Sequence, residues 1–65
     1  MKLAMIGFGQ AGGKIVDKFI EYDQRTGSGI VQSAIAVNTA KADLMGLNHV
    51  PEDNRVLIGQ ARVKG

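Results

Sequence analysis

The sequence predicts an α/β fold, the N-terminal half of a doubly wound, Rossmann-like parallel sheet with three strands, one long helix and one short helix. Three observations predict it. Short apolar runs occur three times along the 65 residues, helical periodicity follows the first run, and glycines mark the junction between that run and the helix. With right-handed crossovers, this alternation gives the strand order 3-2-1.

The first strand and helix lie within residues 2–20, which read KLAMIGFGQAGGKIVDKFI. The apolar run Leu3–Ile6 has the length of a strand, and its composition is typical of a strand buried on both faces of a sheet. We expect the helix to begin at or near Gly12. Its apolar residues repeat at a spacing of four and predict a single stripe that packs on the sheet: Ile15, Val16, Phe19 and Ile20.

The turn between them contains Gly7, Gly9, Gly12 and Gly13. Glycine permits unusual φ values and lets a ligand approach the backbone closely. The N–H groups and positive dipole end of the first helical turn attract an anion, so we expect this turn to bind phosphate. A side chain at Gly12 is expected to enter the space that the phosphate and the first helical turn share. A glycine turn that serves packing alone is the alternative.

The rest of the chain predicts a loop, two strands and a short helix. Residues 23–29 read as a surface loop, in which Asp23 is expected to be solvated like its neighbour Glu21. The segments are a second strand at 30–37, a helix at 40–47 with Thr39 as its N-cap, and a third strand at 55–59. His49, the single histidine, is expected to be solvated in the loop before the third strand.

Asn38 and Thr39 follow the second strand and are expected to lie beside the glycine turn, because parallel neighbours end at the same edge of a sheet. An NAD site usually carries Asp or Glu at this position, where this chain has Asn and Thr. The residues alone leave an NAD(P)- or flavin-binding oxidoreductase and a small non-enzymatic binding module open as alternatives.

Composition narrows the class of protein. The net charge of the chain is +2, and the basic residues form no cluster in the sequence, which argues against nucleic-acid binding. The chain has no cysteine, so disulfides are excluded. Neither a secretory signal nor an apolar stretch of about 20 residues is present, so we expect a cytoplasmic protein. We also expect the chain to be the N-terminal piece of a longer protein, since it ends directly after a third apolar run.

Three segments in order resemble the tubulin/FtsZ superfamily. GFGQAGGKIVDKF resembles its first nucleotide loop, with the tubulin Gly-Gln-x-Gly signature at 9–12. SAIAVNTAKADL resembles the second strand and the loop after it, and RVLIGQARVKG resembles the segment leading to the third nucleotide loop. Within the superfamily, the sequence is most similar to the archaeal tubulin-like group CetZ.

The resemblance implies the N-terminal part of a GTP-binding domain, cut before the main glycine-rich phosphate loop. The whole protein would be a GTPase that binds GTP or GDP with Mg²⁺, polymerises into protofilaments and acts in cell shape. The 65 residues alone would be inactive and contain no catalytic residue. The implied nucleotide-binding residues are Gly9, Gln10, Ala11, Gly12, Gly13, Lys14, Asn38 and Thr39.

Two of these assignments carry more detail. Gln10 matches the tubulin glutamine near the phosphates and metal. Lys14 stands where FtsZ has Asn and tubulin has Gln, so a cation there contributes charge in place of an amide contact. Ala40, next to Thr39, stands where FtsZ carries Asp.

Overall fold

A computed structural model describes residues 2–59 of the chain. Within them lie three strands, two α-helices and one turn of 3-10 helix: β1 Leu3–Phe8, α1 Gly9–Thr26, β2 Val31–Asn38, α2 Lys41–Met45, the 3-10 turn Glu52–Asn54, and β3 Arg55–Leu57. The predicted fold class is confirmed. Residues 60–65, the end of the segment that resembles the approach to the third nucleotide loop, lie outside the described residues.

The three strands form one parallel sheet in the order β1-β2-β3, which is the predicted 3-2-1 order read from the other edge. Phe8 of β1 pairs with Val37 of β2, and Val37 pairs in turn with Val56 of β3. The carboxyl ends of β1 and β2 therefore meet at one edge of the sheet. The glycine turn and Asn38 lie at this edge, as the sequence predicts.

The helix α1 begins at Gly9 rather than near Gly12. Gly7 and Phe8 still pair with β2, so β1 runs two residues further than its apolar run. At Gly9 the chain turns at once, with φ at 75°. L-residues rarely adopt this conformation, and glycine adopts it without strain.

The core lies on one face of the sheet, between the strands and the two helices. It contains seven buried apolar residues: Val16, Ile20, Ala34, Ala36, Leu44, Leu47 and Val50. The expected burial of the strands on both faces is not found among the described residues, where Ile6 is 58% and Phe8 68% exposed on the other face. Both helices pack on the same side, so nothing in residues 2–59 covers these side chains.

The predicted apolar stripe of α1 is correct for Val16 and Ile20, which are buried, and wrong for the other pair. Ile15 is 61% exposed and Phe19 is 39% exposed. Consecutive helical residues are about 100° apart, so a helix lying on a sheet directs only one of the two i, i+4 pairs inward. None of the helices within residues 2–59 is long and apolar enough to cross a membrane.

Several element ends differ from the prediction. The helix α1 continues to Thr26, so the loop begins at Gly27, whose φ of 70° ends the helix and whose N–H donates to the Asp23 carbonyl at 3.0 Å. β2 lies one residue later than predicted. α2 covers only Lys41–Met45, and β3 stops at Leu57, where its pairing with β2 ends.

Candidate functional site

Within residues 2–59, no side chain is hydrogen-bonded to the backbone N–H groups of the first turn of α1. Phe8 is the N-cap and makes no side-chain hydrogen bond to the helix, and the first turn contains no acidic residue. The leading N–H groups of a helix have no partner inside the helix. A Cβ added at Gly9 would meet nothing within 4 Å, so the space beside the turn is open. This end of α1 can therefore receive an anion.

Gly7 and Gly12 bring β1 and α1 into direct backbone contact. A Cβ on Gly7 would collide with the Gly12 carbonyl oxygen and would lie 2.7 Å from Val16 Cγ2. A Cβ on Gly12 would lie 3.2 Å from the Gly7 carbonyl carbon. The expectation that a side chain at Gly12 would enter the phosphate space is wrong, because this position faces the strand.

Gly13 is buried and also faces inward. A Cβ there would meet Leu47 Cδ1 at 3.7 Å and the Ala36 side chain at 3.9 Å, which are ordinary contact distances. Gly13 and Gly12 can therefore offer only backbone atoms to a ligand. The residues with exposed side chains in this stretch are Gln10, Ala11 and Lys14.

A cleft of about 300 Å³ lies between the first two turns of α1 and the helix α2. On the α1 side it is lined by Gln10 and Lys14, two of the residues that the sequence singles out. On the other side it is lined by α2 and the residues that follow it: Ala42, Asp43, Gly46 and Leu47. A larger groove of about 450 Å³ on the outer surface of α1 shares only Lys14 with this cleft.

Asn38 lies at the carboxyl end of β2 and is 8% exposed. Its side-chain oxygen accepts the Ala40 N–H at 2.9 Å, and its amide nitrogen donates to Asp43 Oδ2 at 3.3 Å. Asn38 thus joins β2 to the start of α2 through an Asx-type turn. Thr39 is exposed and is not the N-cap of α2, contrary to expectation, since Ala40 holds that position.

Asp17, which the sequence does not mark as special, accepts hydrogen bonds from three successive backbone N–H groups. They come from Asn48 at 3.2 Å, His49 at 2.6 Å and Val50 at 2.8 Å. Burial acts to raise the pKa of Asp17, but these hydrogen bonds outweigh it and leave the pKa below its ordinary value. His49 is only partly solvated: its side chain is 30% exposed, and its ring Nδ1 lies 3.4 Å from Asp17 Oδ2.

Asp23, near the C-terminal end of α1, also accepts hydrogen bonds from backbone N–H groups. Its carboxylate accepts the N–H groups of Ile30 at 3.0 Å and Val31 at 3.3 Å, and the residue is 8% exposed. The expectation of a solvated Asp23 is therefore wrong. Helical spacing could have indicated both aspartates, since Asp17 and Asp23 each lie three residues from Ile20 and so border the buried stripe.

The sequence of this chain is similar to curated proteins along its whole length, although no protein-family model matches it. It is 72% identical to the tubulin-like protein CetZ1 of Haloferax volcanii over 65 residues, covering all of this chain and 16% of CetZ1. It is 45% identical to the tubulin-like protein CetZ of Pyrococcus abyssi, again covering all of this chain and 16% of the relative. The chain thus spans about a sixth of the length of these relatives.

Solved structures give the same result. A GDP-bound monomer of CetZ1 from Haloferax volcanii has a TM-score of 0.91 and 71% identity, over 97% of this chain and 19% of that one. A GTPγS-bound protofilament of CetZ2 from the same organism has a TM-score of 0.80 and 52% identity, over 92% of this chain and 17% of that one. By sequence and by fold, these 65 residues are similar to part of the CetZ tubulin-like proteins.

Proposed function

We propose that this segment forms part of the guanine-nucleotide site of a tubulin-like cytoskeletal protein. The observation that carries the proposal is the similarity to CetZ1 in its GDP-bound form, at 71% identity and a TM-score of 0.91. The uncapped first turn of α1, with open space beside Gly9, provides a physical reason for an anion to bind there.

Within the site, the exposed residues on the cleft would contact the ligand. Backbone N–H groups at Gly9, Gln10 and Ala11 would donate to phosphate oxygens, as at other helix N-termini. The Gln10 side chain would lie near the phosphates and metal. Lys14 lies one turn further along the cleft, where its ammonium would add positive charge.

The remaining predicted residues would act through the backbone or through the shape of the site. Gly12 and Gly13 would contribute backbone atoms and allow α1 to pack closely on β1 and Leu47. Asn38 would hold α2 in place, because its side chain already bonds Ala40 and Asp43. Thr39 is exposed next to Asn38 and is available to a ligand.

We expect any Mg²⁺ to arrive with the nucleotide. No group of three or more histidine and acidic residues within residues 2–59 could hold a metal ion. Magnesium commonly keeps several waters and binds nucleotide phosphates with few protein ligands, so the chain fits a metal that the nucleotide brings.

For the whole protein we propose GTP hydrolysis, assembly into protofilaments and a cytoplasmic role in cell shape. A related CetZ2 has been solved as a GTPγS-bound protofilament, which supports the proposed assembly. We place residues 1–65 in the N-terminal part of the GTP-binding domain, before its main glycine-rich loop. The oxidoreductase alternative has no support among the tubulin-like relatives named above.

The 65 residues alone should neither hydrolyse GTP nor bind it well. The apolar face of the sheet that carries Ile6 and Phe8 has no cover within residues 2–59, and the cleft lies between α1 and the α2 segment alone. Phosphate release from GTP by the purified 65-residue chain measures this directly. Turnover at the rate of CetZ1 would contradict the proposed division of the site.

Nucleotide binding can be tested in a chimera of CetZ1 whose aligned residues are replaced by this chain, hereafter the CetZ1 chimera. We expect it to bind a fluorescent GDP analogue, which GTP displaces and NAD⁺ does not. Loss of guanine-nucleotide binding in a folded chimera, when CetZ1 binds under the same conditions, would contradict the proposed function.

A further inference from the structure

One wall of the cleft consists of α2 and the residues after it. Leu44 and Leu47 pack this wall into the core, and hydrogen bonds also join it to β2 and to α1. Asn38 joins β2 to the start of α2, through Ala40 and Asp43. Asp17 joins α1 to the segment 48–50, directly after the cleft-lining Leu47.

The two carboxylate oxygens of Asp17 bind the 48–50 segment through different N–H groups. Oδ1 accepts the N–H groups of His49 at 2.6 Å and Val50 at 2.8 Å, and Oδ2 accepts that of Asn48 at 3.2 Å. Convergence of successive backbone N–H groups on one oxygen pair needs a carboxylate, because an amide at this position would turn a donor toward one of them. Val50 is fully buried, so its N–H has no access to water as a substitute.

The 48–50 segment directly follows Leu47, which lines the cleft. Leu47 precedes Asn48, is 7% exposed, and packs toward Gly13 of α1, where an added Cβ would lie 3.7 Å from Leu47 Cδ1. Leu47 and Gly46 face Gln10 and Lys14 across the cleft. The position of the 48–50 segment on α1 therefore helps to set the separation of the two walls, together with Asn38 at the start of α2.

We propose that Asp17 is a positioning residue for the nucleotide site, which fixes the wall formed by α2, Gly46 and Leu47 against Gln10 and Lys14. This inference rests on the proposed guanine-nucleotide site. Asp17 does not contact the ligand. It acts through the backbone of 48–50, and a displaced wall weakens the contacts that a nucleotide makes with both sides of the cleft.

Asp23 provides a matched control. It also lies on α1, is buried, and accepts two backbone N–H groups, but these belong to Ile30 and Val31 at the amino end of β2. The cleft lies at the carboxyl end of β2, beside Asn38. Removal of either carboxylate should lower stability, whereas only Asp17 is connected to the cleft wall.

The test compares D17N and D23N in the CetZ1 chimera, using a fluorescent GDP analogue and stopped-flow dissociation. Both variants are studied at a temperature where circular dichroism shows each to be folded. We expect D17N to raise the Kd about fivefold to tenfold, mainly through faster dissociation, and D23N to change it less than about twofold. D17E keeps the carboxylate displaced by one methylene, and should give a smaller increase than D17N.

The outcomes separate the two proposals. A chimera that binds no guanine nucleotide overturns the proposed function itself. A chimera that binds normally, with an unchanged Kd in D17N or an equal change in D17N and D23N, overturns only the positioning role. If D17N does not fold, D17E takes its place in the same comparison, and an unchanged Kd in D17E then overturns the role.

Discussion

The first turn of α1 and the rest of the helix differ in whether side chains satisfy nearby backbone N–H groups. At the start of the helix, the first turn has no capping side chain, no acidic residue and open space beside Gly9. Further along, Asp17 and Asp23 accept five backbone N–H groups between them, from residues 48–50 and from Ile30 and Val31. Buried carboxylates thus accept the backbone N–H groups that hold the fold together. The N–H groups of the first turn remain available at the position where we propose that a nucleotide binds.

The contrast also separates two uses of charge. A carboxylate in the first turn of α1 would satisfy the N–H groups and repel a phosphate. Here the nearest charged residue on α1 is Lys14, which lines the cleft, and the first carboxylate is Asp17, which is turned toward the 48–50 segment. The order of charges along the helix thus fits an anion site at its start.

The largest effect on stability should come from the contact between β1 and α1. Gly7→Ala places a methyl group against the Gly12 carbonyl, where the backbone cannot move aside, and should destabilise the CetZ1 chimera by about 3 kcal/mol. Gly29→Ala is the matched control, since its φ of 66° is strained for alanine but nothing lies within 4 Å, and about 1 kcal/mol is expected. Urea denaturation measures both. Equal losses would show that the close approach at Gly7 contributes nothing.

Loss of a carboxylate anchor should come next. Asp17→Ala leaves three N–H groups without partners, one of them on fully buried Val50, and should destabilise the chimera by about 2–3 kcal/mol. Asp23→Ala leaves two N–H groups in a partly exposed position, so about 1–2 kcal/mol is expected. Urea denaturation of the two variants under identical conditions ranks them. The reverse order would contradict the energetic weight given to Asp17.

Acid should remove the contribution of Asp17 selectively. Its folded-state pKa lies below the ordinary value of 3.8, so its stabilisation is present above pH 3.8 and is lost as the pH falls from there through the folded-state pKa. The stability difference between the chimera and Asp17→Asn should therefore be constant near neutral pH and shrink below 3.8. A difference that grows in acid would contradict the lowered pKa.

A smaller effect on binding is expected at the start of α1. Gln10 is exposed on the cleft, and Gln10→Ala leaves the backbone donors in place. We expect GTP turnover or its magnesium dependence to change more than the Kd for GDP, which should shift by less than about threefold. Steady-state phosphate release and nucleotide titration, measured in the chimera and the variant, provide the two quantities. Unchanged turnover and magnesium dependence would show that Gln10 does not have the tubulin-like role.

The sequence predicts the strand order and the location of the candidate site because both depend on local patterns. Apolar runs and glycine spacing identify β1 and the turn, and parallel topology places Asn38 beside it. Pairing with β2 extends β1 to Phe8, and this long-range contact is not visible in the composition of residues 7–8. The helix α1 therefore begins three residues before the predicted position.

The contacts of the polar residues depend on tertiary packing. Asp17, Asp23 and His49 carry ordinary side chains in segments that look solvated, and only the packing of the 48–50 segment on α1 brings Asp17 and His49 together. The direction that a side chain at position 12 would take likewise depends on how closely α1 approaches β1. The contacts of Asp17 join residues about thirty positions apart, and helical spacing can show that Asp17 borders the buried stripe but not which residues it bonds.

The most direct test of the contrast along α1 is amide hydrogen exchange in the CetZ1 chimera with and without GDP. We expect the amides of residues 9–12 to exchange quickly in the absence of nucleotide and to become protected when GDP binds. The amides of residues 48–50, already bonded to Asp17, should be protected in both states. Unchanged exchange at residues 9–12 with GDP bound would contradict the assignment of this turn to the nucleotide.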